Sequence, residues 1–268
     1  MFEKIKNIIT KIKEKKPLIL NITNDVTMDF IANGLLSLGA SPIMCKSQHE
    51  IDDLLRWANS VVINLGTLDE KLIELCEYVC NRSNQLKIPI ILDPVGAGAS
   101  QYRTHANLNL IKKYRIAIIK GNASEMMSLA GVSVKTKGVE SNIQSNLAIE
   151  SAKTLSSNND VTVVVSGQTD IIVDFNTICQ LTFGSPLMPQ VIGTGCLLSA
   201  VIAAFHTVEK DRFNSSMLAT AFYGICGEQA AITANGPASF KTQFLDELNS
   251  MPNEQIYLSK GIVCQKST

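Results

Sequence analysis

The chain is poor in aromatic residues, has no excess of either charge and no long apolar run, and each shortage narrows what it can be. One tryptophan and 6% aromatics leave the core of these 268 residues to Ile, Leu, Val and Ala. Lys+Arg and Asp+Glu number 24 each, so the formal charge is zero and no basic excess marks a nucleic-acid binder. A small molecule is the expected partner. The longest apolar stretch, near 197–205, is too short to span a bilayer, so no membrane role is expected. The seven cysteines (Cys45, Cys76, Cys80, Cys179, Cys196, Cys226, Cys264) form no CxxC pair, and the three histidines lie far apart, which argues against a zinc site. Free thiols with no disulfide framework point to a reducing, cytoplasmic setting. "MFEKIKNIITKIKEKK" lacks the apolar core of a signal peptide, and Ile5, Ile8, Ile9 and Ile12 recur at helical spacing. Both nucleotide fingerprints are missing: "GAGAS" lacks the G-x-G-x-x-G spacing, and "GTGC" lacks the P-loop lysine.

What the chain does have is alternation. "PLILNIT" (17–23), "SVVINLG" (60–66), "IPIILDP" (88–94) and "RIAIIKG" (115–121) are nearly continuous aliphatic runs, as strands covered on both faces should be. Helical patterns over 28–40, 69–85 and 107–114 separate them, and Gly39 closes the first. "VTVVVSG" (161–167), "DIIVDF" (170–175) and "TICQLTFG" (177–184) lie close enough to be neighbours, some antiparallel. From Cys196 onward the pattern is mostly helical, over 215–234 and 238–251. The expectation is one domain over 1–268, an α/β three-layer αβα fold with a mainly parallel sheet and helices on both faces. Ligands of such sheets sit beyond the carboxyl ends of the strands.

Polar residues collect at those ends. Asn21 and Asn24 follow one strand, and Asp93 ends another before Gly96 and Gly98. "KGNASE" places Lys120, Asn122 and Glu125 just past a third, Ser166 ends a fourth, and "GTGC" (193–196) opens a helix. Each has a plainer reading: Asp93 as a turn former before proline, Glu125 as the partner of an Asn122 helix cap, Cys196 as a small core residue. Cys196 could also be a nucleophile, a metal ligand or a proton acceptor. If 193–196 start a helix, their backbone N–H groups attract an anion such as a phosphoryl group. The same field favours thiolate, so Cys196 should be more ionised than a free cysteine. Asp93 and Glu125, taken as solvent-facing strand ends, suit Mg²⁺. Together these features spell phosphoryl transfer to an alcohol.

"NITNDVTMDFIANGLLSLGASPIM", "INLGTL", "DPVGAGAS" followed by "YR", "KGNASE", "VVVSG", "GTGCLLSA" and "GPASF" occur in this order. From about residue 17 to 250 the chain resembles the hydroxyethylthiazole kinase family of the ribokinase-like superfamily. Most of that superfamily carries Asp where this chain has Cys196. The resemblance implies ATP-dependent phosphorylation of the primary hydroxyl of 4-methyl-5-(2-hydroxyethyl)thiazole in thiamine salvage. It implies Cys196 as proton acceptor, Lys120 and Ser166 at ATP, and Asp93 and Glu125 at Mg²⁺ and phosphates. Met44, Gly193 and Asn24 would contact the thiazole, in a homotrimer with active sites between subunits. The family usually has Arg at 120, Thr at 166 and "GPGSF" for "GPASF"; Lys120 keeps the charge without the bidentate fork.

Overall fold

The computed structural model describes residues 1–132, 141–259 and 262–266. In chain order, α1 (Phe2–Lys15) precedes β1 (Leu18–Ile22), α2 (Met28–Leu38), β2 (Ser41–Met44), α3 (Ile51–Leu55) and β3 (Ser60–Asn64). Next come α4 (Glu70–Leu86), β4 (Ile90–Asp93), α5 (Gln101–Lys113), β5 (Ile118–Asn122), α6 (Ala123–Leu129) and α7 (Ser141–Asn159). Then follow β6 (Thr162–Ser166), β7 (Asp170–Asp174), β8 (Thr177–Leu181) and α8 (Thr194–Val208). Last are α9 (Arg212–Thr233), α10 (Pro237–Asn249), α11 (Glu254–Ser259) and β9 (Ile262–Lys266).

Local chemistry sets these limits. The Ile5, Ile8, Ile9 and Ile12 stripe of α1 is buried, and the helix ends at Lys16, which adopts a left-handed conformation (φ 45°) before Pro17. A residue preceding proline is disfavoured in the helical region, so the turn has to break there. Gly39 (φ 96°) closes α2 as expected. Asp69 caps α4 by accepting the Leu72 N–H at 2.7 Å, and Ser100 caps α5 from Arg103 N–H at 3.2 Å. That cap starts α5 at Gln101, earlier than the pattern over 107–114 suggested.

The strands form one sheet in the order β2-β1-β3-β4-β5-β6-β7-β8-β9. Pairing is parallel from β2 to β6 and antiparallel from β6 to β9. Register fixes the geometry that matters below: Asn64 pairs with Asp93, and Asn122 pairs with Ser166, at the carboxyl ends of neighbouring strands. Side chains alternate across the pleat. Ile19, Val62, Ile91, Ile118 and Val164 belong to a buried cluster shared with α1, α2, α8, α9 and α10. Leu20, Ile63, Leu92, Ile119 and Val163 face a second cluster with residues of α3 to α7. This is the three-layer αβα arrangement. Each fully buried aliphatic side chain contributes about 1.5–3 kcal/mol over its exposed state. Helix α8 runs under the sheet with buried residues on nearly every side. It packs so closely on α2 that a methyl at Gly34 would overlap the Leu197 side chain.

Two strands and one covalent bond lay outside the sequence expectations. β2 is a half-buried edge strand carrying Pro42, which an edge tolerates because its missing N–H costs no ladder bond there. β9 adds to β8 and sets Cys264 opposite Cys179, where the two form a disulfide with Cα atoms 4.1 Å apart. The expectation of free thiols throughout is corrected at this pair. Cys45, Cys76, Cys80, Cys196 and Cys226 are free. No described helix is long and apolar enough to cross a membrane.

Candidate active site

Asp93 closes β4 and is buried. Its Oδ2 accepts from Asn64 Nδ2 at 2.9 Å and from Ser199 Oγ at 2.9 Å, and Lys120 Nζ stands 3.9 Å away. Burial pushes the Asp93 carboxyl above its ordinary value, against the pull of Lys120, Ser199 and Asn64. Lys120 belongs to β5 itself rather than to the loop past the sheet. It is buried, and its ammonium donates to the Gly195 carbonyl at 2.9 Å. The cation therefore bridges the β4 carboxylate and the first turn of α8.

That first turn is shaped by Gly193, the N-cap, at φ 99°. A Cβ there would lie 3.0 Å from the Phe30 ring and 3.1 Å from Thr27 Cγ2, so both the conformation and the fit require glycine. Thr194 Oγ1 holds the turn by donating to the Met188 carbonyl at 2.9 Å, and Tyr223 OH donates to the Thr194 carbonyl at 2.6 Å. The Gly195 and Cys196 amides have no acceptor among the described residues, as the start of a helix requires. Cys196 is half-buried, with Asn24 Nδ2 3.5 Å from its Sγ. The expected extra ionisation is corrected here. Burial, then Asp93, raise the Cys196 thiol above its ordinary value, against Lys120, Asn64 and Thr27.

The strand ends surround a cavity of about 900 Å³ whose lining includes Asp93, Lys120, Glu125, Ser166, Gly195 and Cys196. Ser166 closes β6, its Oγ donating to the Gly121 carbonyl at 3.3 Å. Glu125 is neither a strand end nor solvent-facing. It sits in the first turn of α6, 8% exposed, and completes a capping box with Asn122. Its two oxygens accept Gly96 N–H at 2.9 Å and Asn122 N–H at 2.7 Å. Burial and the nearby Asp93 hold its carboxyl up, against those two amides and Lys120. The capping reading and a place in the cavity are both realised in one residue.

Residues 9–254 match the Hydroxyethylthiazole kinase family. The chain belongs to this family. It is 44% identical over 246 residues to the hydroxyethylthiazole kinase of Brachyspira hyodysenteriae, covering 92% of this chain and 93% of that one. To the enzyme of Desulfotalea psychrophila it is 40% identical over 260 residues, covering 97% and 94%. The solved hydroxyethylthiazole kinase of Pyrococcus horikoshii superimposes with a TM-score of 0.89 at 31% identity, over 98% of this chain and 99% of that one. The pyridoxal kinase of Staphylococcus aureus, at TM-score 0.62 and 17% identity over 79% and 88%, shares the ribokinase-like fold. As a member of this family, the protein is a phosphotransferase of thiamine salvage that phosphorylates the thiazole alcohol with ATP.

Within this kinase the residues expected at the thiazole are dispersed. Asn24 touches Cys196, and Gly193 packs on Thr27, but neither lines the cavity. Met44 ends the edge strand β2 beside Asn21 and is not brought into the cavity. Asn64 and Ser199, which hold Asp93, escaped the sequence reading. The signals were available: Asn64 ends the aliphatic run of β3 with a polar side chain, as Asp93 ends that of β4, and Ser199 follows Cys196 at i+3, on the same helix face.

Proposed function

We propose that the cavity binds ATP and that the thiazole alcohol meets it at Cys196. The observation that carries this reading is one juxtaposition. The unpartnered amides of Gly195 and Cys196, the Cys196 thiol, the Lys120 ammonium and the Asp93 and Glu125 carboxyls all border one cavity. In the transfer, the primary hydroxyl oxygen of 4-methyl-5-(2-hydroxyethyl)thiazole forms a bond to the γ-phosphorus. The bond from that phosphorus to the β–γ bridging oxygen breaks, ADP leaves, and the hydroxyl proton passes to Cys196 Sγ in its thiolate form. The Gly195 and Cys196 amides receive charge on the transferring group, and Lys120 and Ser166 attend the ATP phosphates. Asn24 and Gly193, at the Cys196 turn outside the cavity lining, and Met44, at the end of β2, contact the thiazole.

Mg²⁺ suits this donor set. Asp93 and Glu125 share the cavity, and Asp93 raises the Glu125 carboxyl, a conflict that a divalent cation relieves. Among the described residues no group of three or more His, Cys, Asp or Glu gathers, which fits an ion held by two carboxylates, waters and substrate phosphates. Bound there, it would neutralise phosphate charge. The whole chain acts as one catalytic domain. A cytoplasmic homotrimer with sites between subunits completes the reading. Val26 and Ile192, 67% and 74% exposed, place apolar surface beside Asn24 and Gly193 for a neighbouring subunit to cover. The test is ADP release in a coupled assay with thiazole, pyrimidine and pyridoxal alcohols. Turnover with the thiazole alcohol that requires Mg²⁺ is expected; turnover with the other alcohols alone overturns the reading.

A further inference from the structure

We propose that Asn64 is a positioning residue of the transfer, fixing the Asn24 side-chain amide so that one of its N–H bonds points at Cys196 Sγ. The inference rests on the reading of Cys196 as proton acceptor. Two backbone amides decide which way both asparagines face. The Gly66 N–H lies 3.0 Å from one terminal atom of Asn64. A backbone N–H only donates, so that atom is the oxygen, and Nδ2 is left facing Asp93 Oδ2 at 2.9 Å. By the same rule the Thr27 N–H, 3.1 Å away, fixes the Asn24 oxygen. Asn24 Nδ2 is thereby turned toward Asn64 Oδ1 at 3.0 Å and Cys196 Sγ at 3.5 Å.

A primary amide carries two N–H bonds in one plane. When one is held by Asn64 Oδ1, the direction of the other is set, and it meets the sulfur. Cys196 is thus held as an acceptor, with an N–H available to the charge a thiolate carries. Asn24, Asn64 and Asp93 are 4%, 1% and 1% exposed, so water does not substitute for a lost link. The chain also ties the proton acceptor on α8 to the carboxylate of β4, two groups from distant parts of the sequence. Asn64 sits one strand from Asp93 in register, which is why a strand-ending asparagine can serve both.

The test is a double-mutant cycle on turnover. Asn64→Ala should lower kcat by about 10- to 100-fold, the range for a hydrogen bond to a charged group, with the KM of ATP and of the thiazole alcohol changed less than about twofold. If Asn64 acts through Asn24, then in an Asn24→Ala background Asn64→Ala should cost several-fold less in kcat than it does alone, the remainder being its lost bond to Asp93. Multiplied costs, or a loss confined to the KM of ATP, overturn the proposal. Circular dichroism and thermal melts check the fold. Should the Ala variant not fold, Asn64→Ser, too short to reach Asn24, replaces it in the same cycle. Cys196→Ala run in parallel separates the two claims. An impaired Cys196→Ala beside multiplied Asn64 costs sinks Asn64 alone, whereas a Cys196→Ala of full kcat sinks the proton-acceptor reading and the Asn64 role with it.

Discussion

Lys120→Met is the perturbation whose size follows most directly from the structure. Its ammonium lies 3.9 Å from Asp93 Oδ2, with both side chains buried. Two unit charges at that separation interact by about 4 kcal/mol at an effective dielectric of about 20. Met keeps the length and apolar stem of the side chain but leaves Asp93 without its cation. Removing one partner of a buried pair costs about 3–5 kcal/mol. The loss should depend on pH, with a definite sign. Burial already raises Asp93 in the folded protein above its ordinary 3.8, so the folded state keeps the proton longer than the unfolded one. Stability is therefore lost as pH rises from about 3.8 through the folded value, and Lys120 limits that loss. In urea titrations the Met variant should fall short of the parent by about 3–5 kcal/mol at pH 8 and by less at pH 5. Asp93→Asn added to Lys120→Met should recover most of the difference. In turnover assays the KM of ATP should rise far more than that of the thiazole alcohol. A Met variant as stable as the parent at pH 8, or a deficit equal at both pH values, refutes the reasoning and leaves Lys120 as packing.

Cys196→Ala should reduce turnover by roughly 10²–10⁴-fold, and Cys196→Asp should retain much more activity. Because the Cys196 thiol is raised, parent turnover should climb toward alkaline pH while that of the Asp variant stays flat above neutrality; parallel profiles would remove Cys196 from the chemistry. Glu125→Gln sets an NH₂ against one of the two N–H groups its carboxylate now accepts, so a stability loss of about 1–3 kcal/mol should accompany a higher Mg²⁺ requirement. Unchanged melting and an unchanged magnesium titration would contradict both halves of that expectation. Asp170 lines the same cavity, its carboxyl pushed up to about 7 by burial while it accepts Gly167 N–H at 3.0 Å. Its contribution is fully present below 3.8 and lost as pH rises through about 7, so Asp170→Asn should raise the melting temperature at pH 8 and not at pH 4. A gain independent of pH would rule out titration of Asp170 as the cause.

The parts legible in the sequence were those written in local pattern. Aliphatic runs of both-face burial located β1, β3, β4 and β5, close spacing located β6 to β8, and "GTGC" located the helix start, because each signal lies within a few residues. β2 was missed since Pro42 and half-burial hide the strand pattern, and β9 because only register with β8 makes it a strand. Lys120 was placed past the sheet because a charge in an aliphatic run reads as its end. The structure buries it instead, since Asp93 and the Gly195 carbonyl receive the ammonium from segments far along the chain. The raised Cys196 thiol was illegible for the same reason. A helix start can be read from "GTGC", but the burial and the Asp93 charge that outweigh it come from elsewhere in the fold.

Helix α8 begins at the candidate site and continues through the middle of the core, with Leu197 to His206 all buried. The turn proposed to receive the phosphoryl charge is therefore no hinge or flap; it is one end of a rod enclosed along almost its whole length. It cannot loosen on its own while the remainder stays folded, because opening it means breaking the contacts of α2, α9 and the sheet together. Heat should then abolish catalysis and the global fold in one cooperative step, with no milder temperature at which a folded but inert protein accumulates.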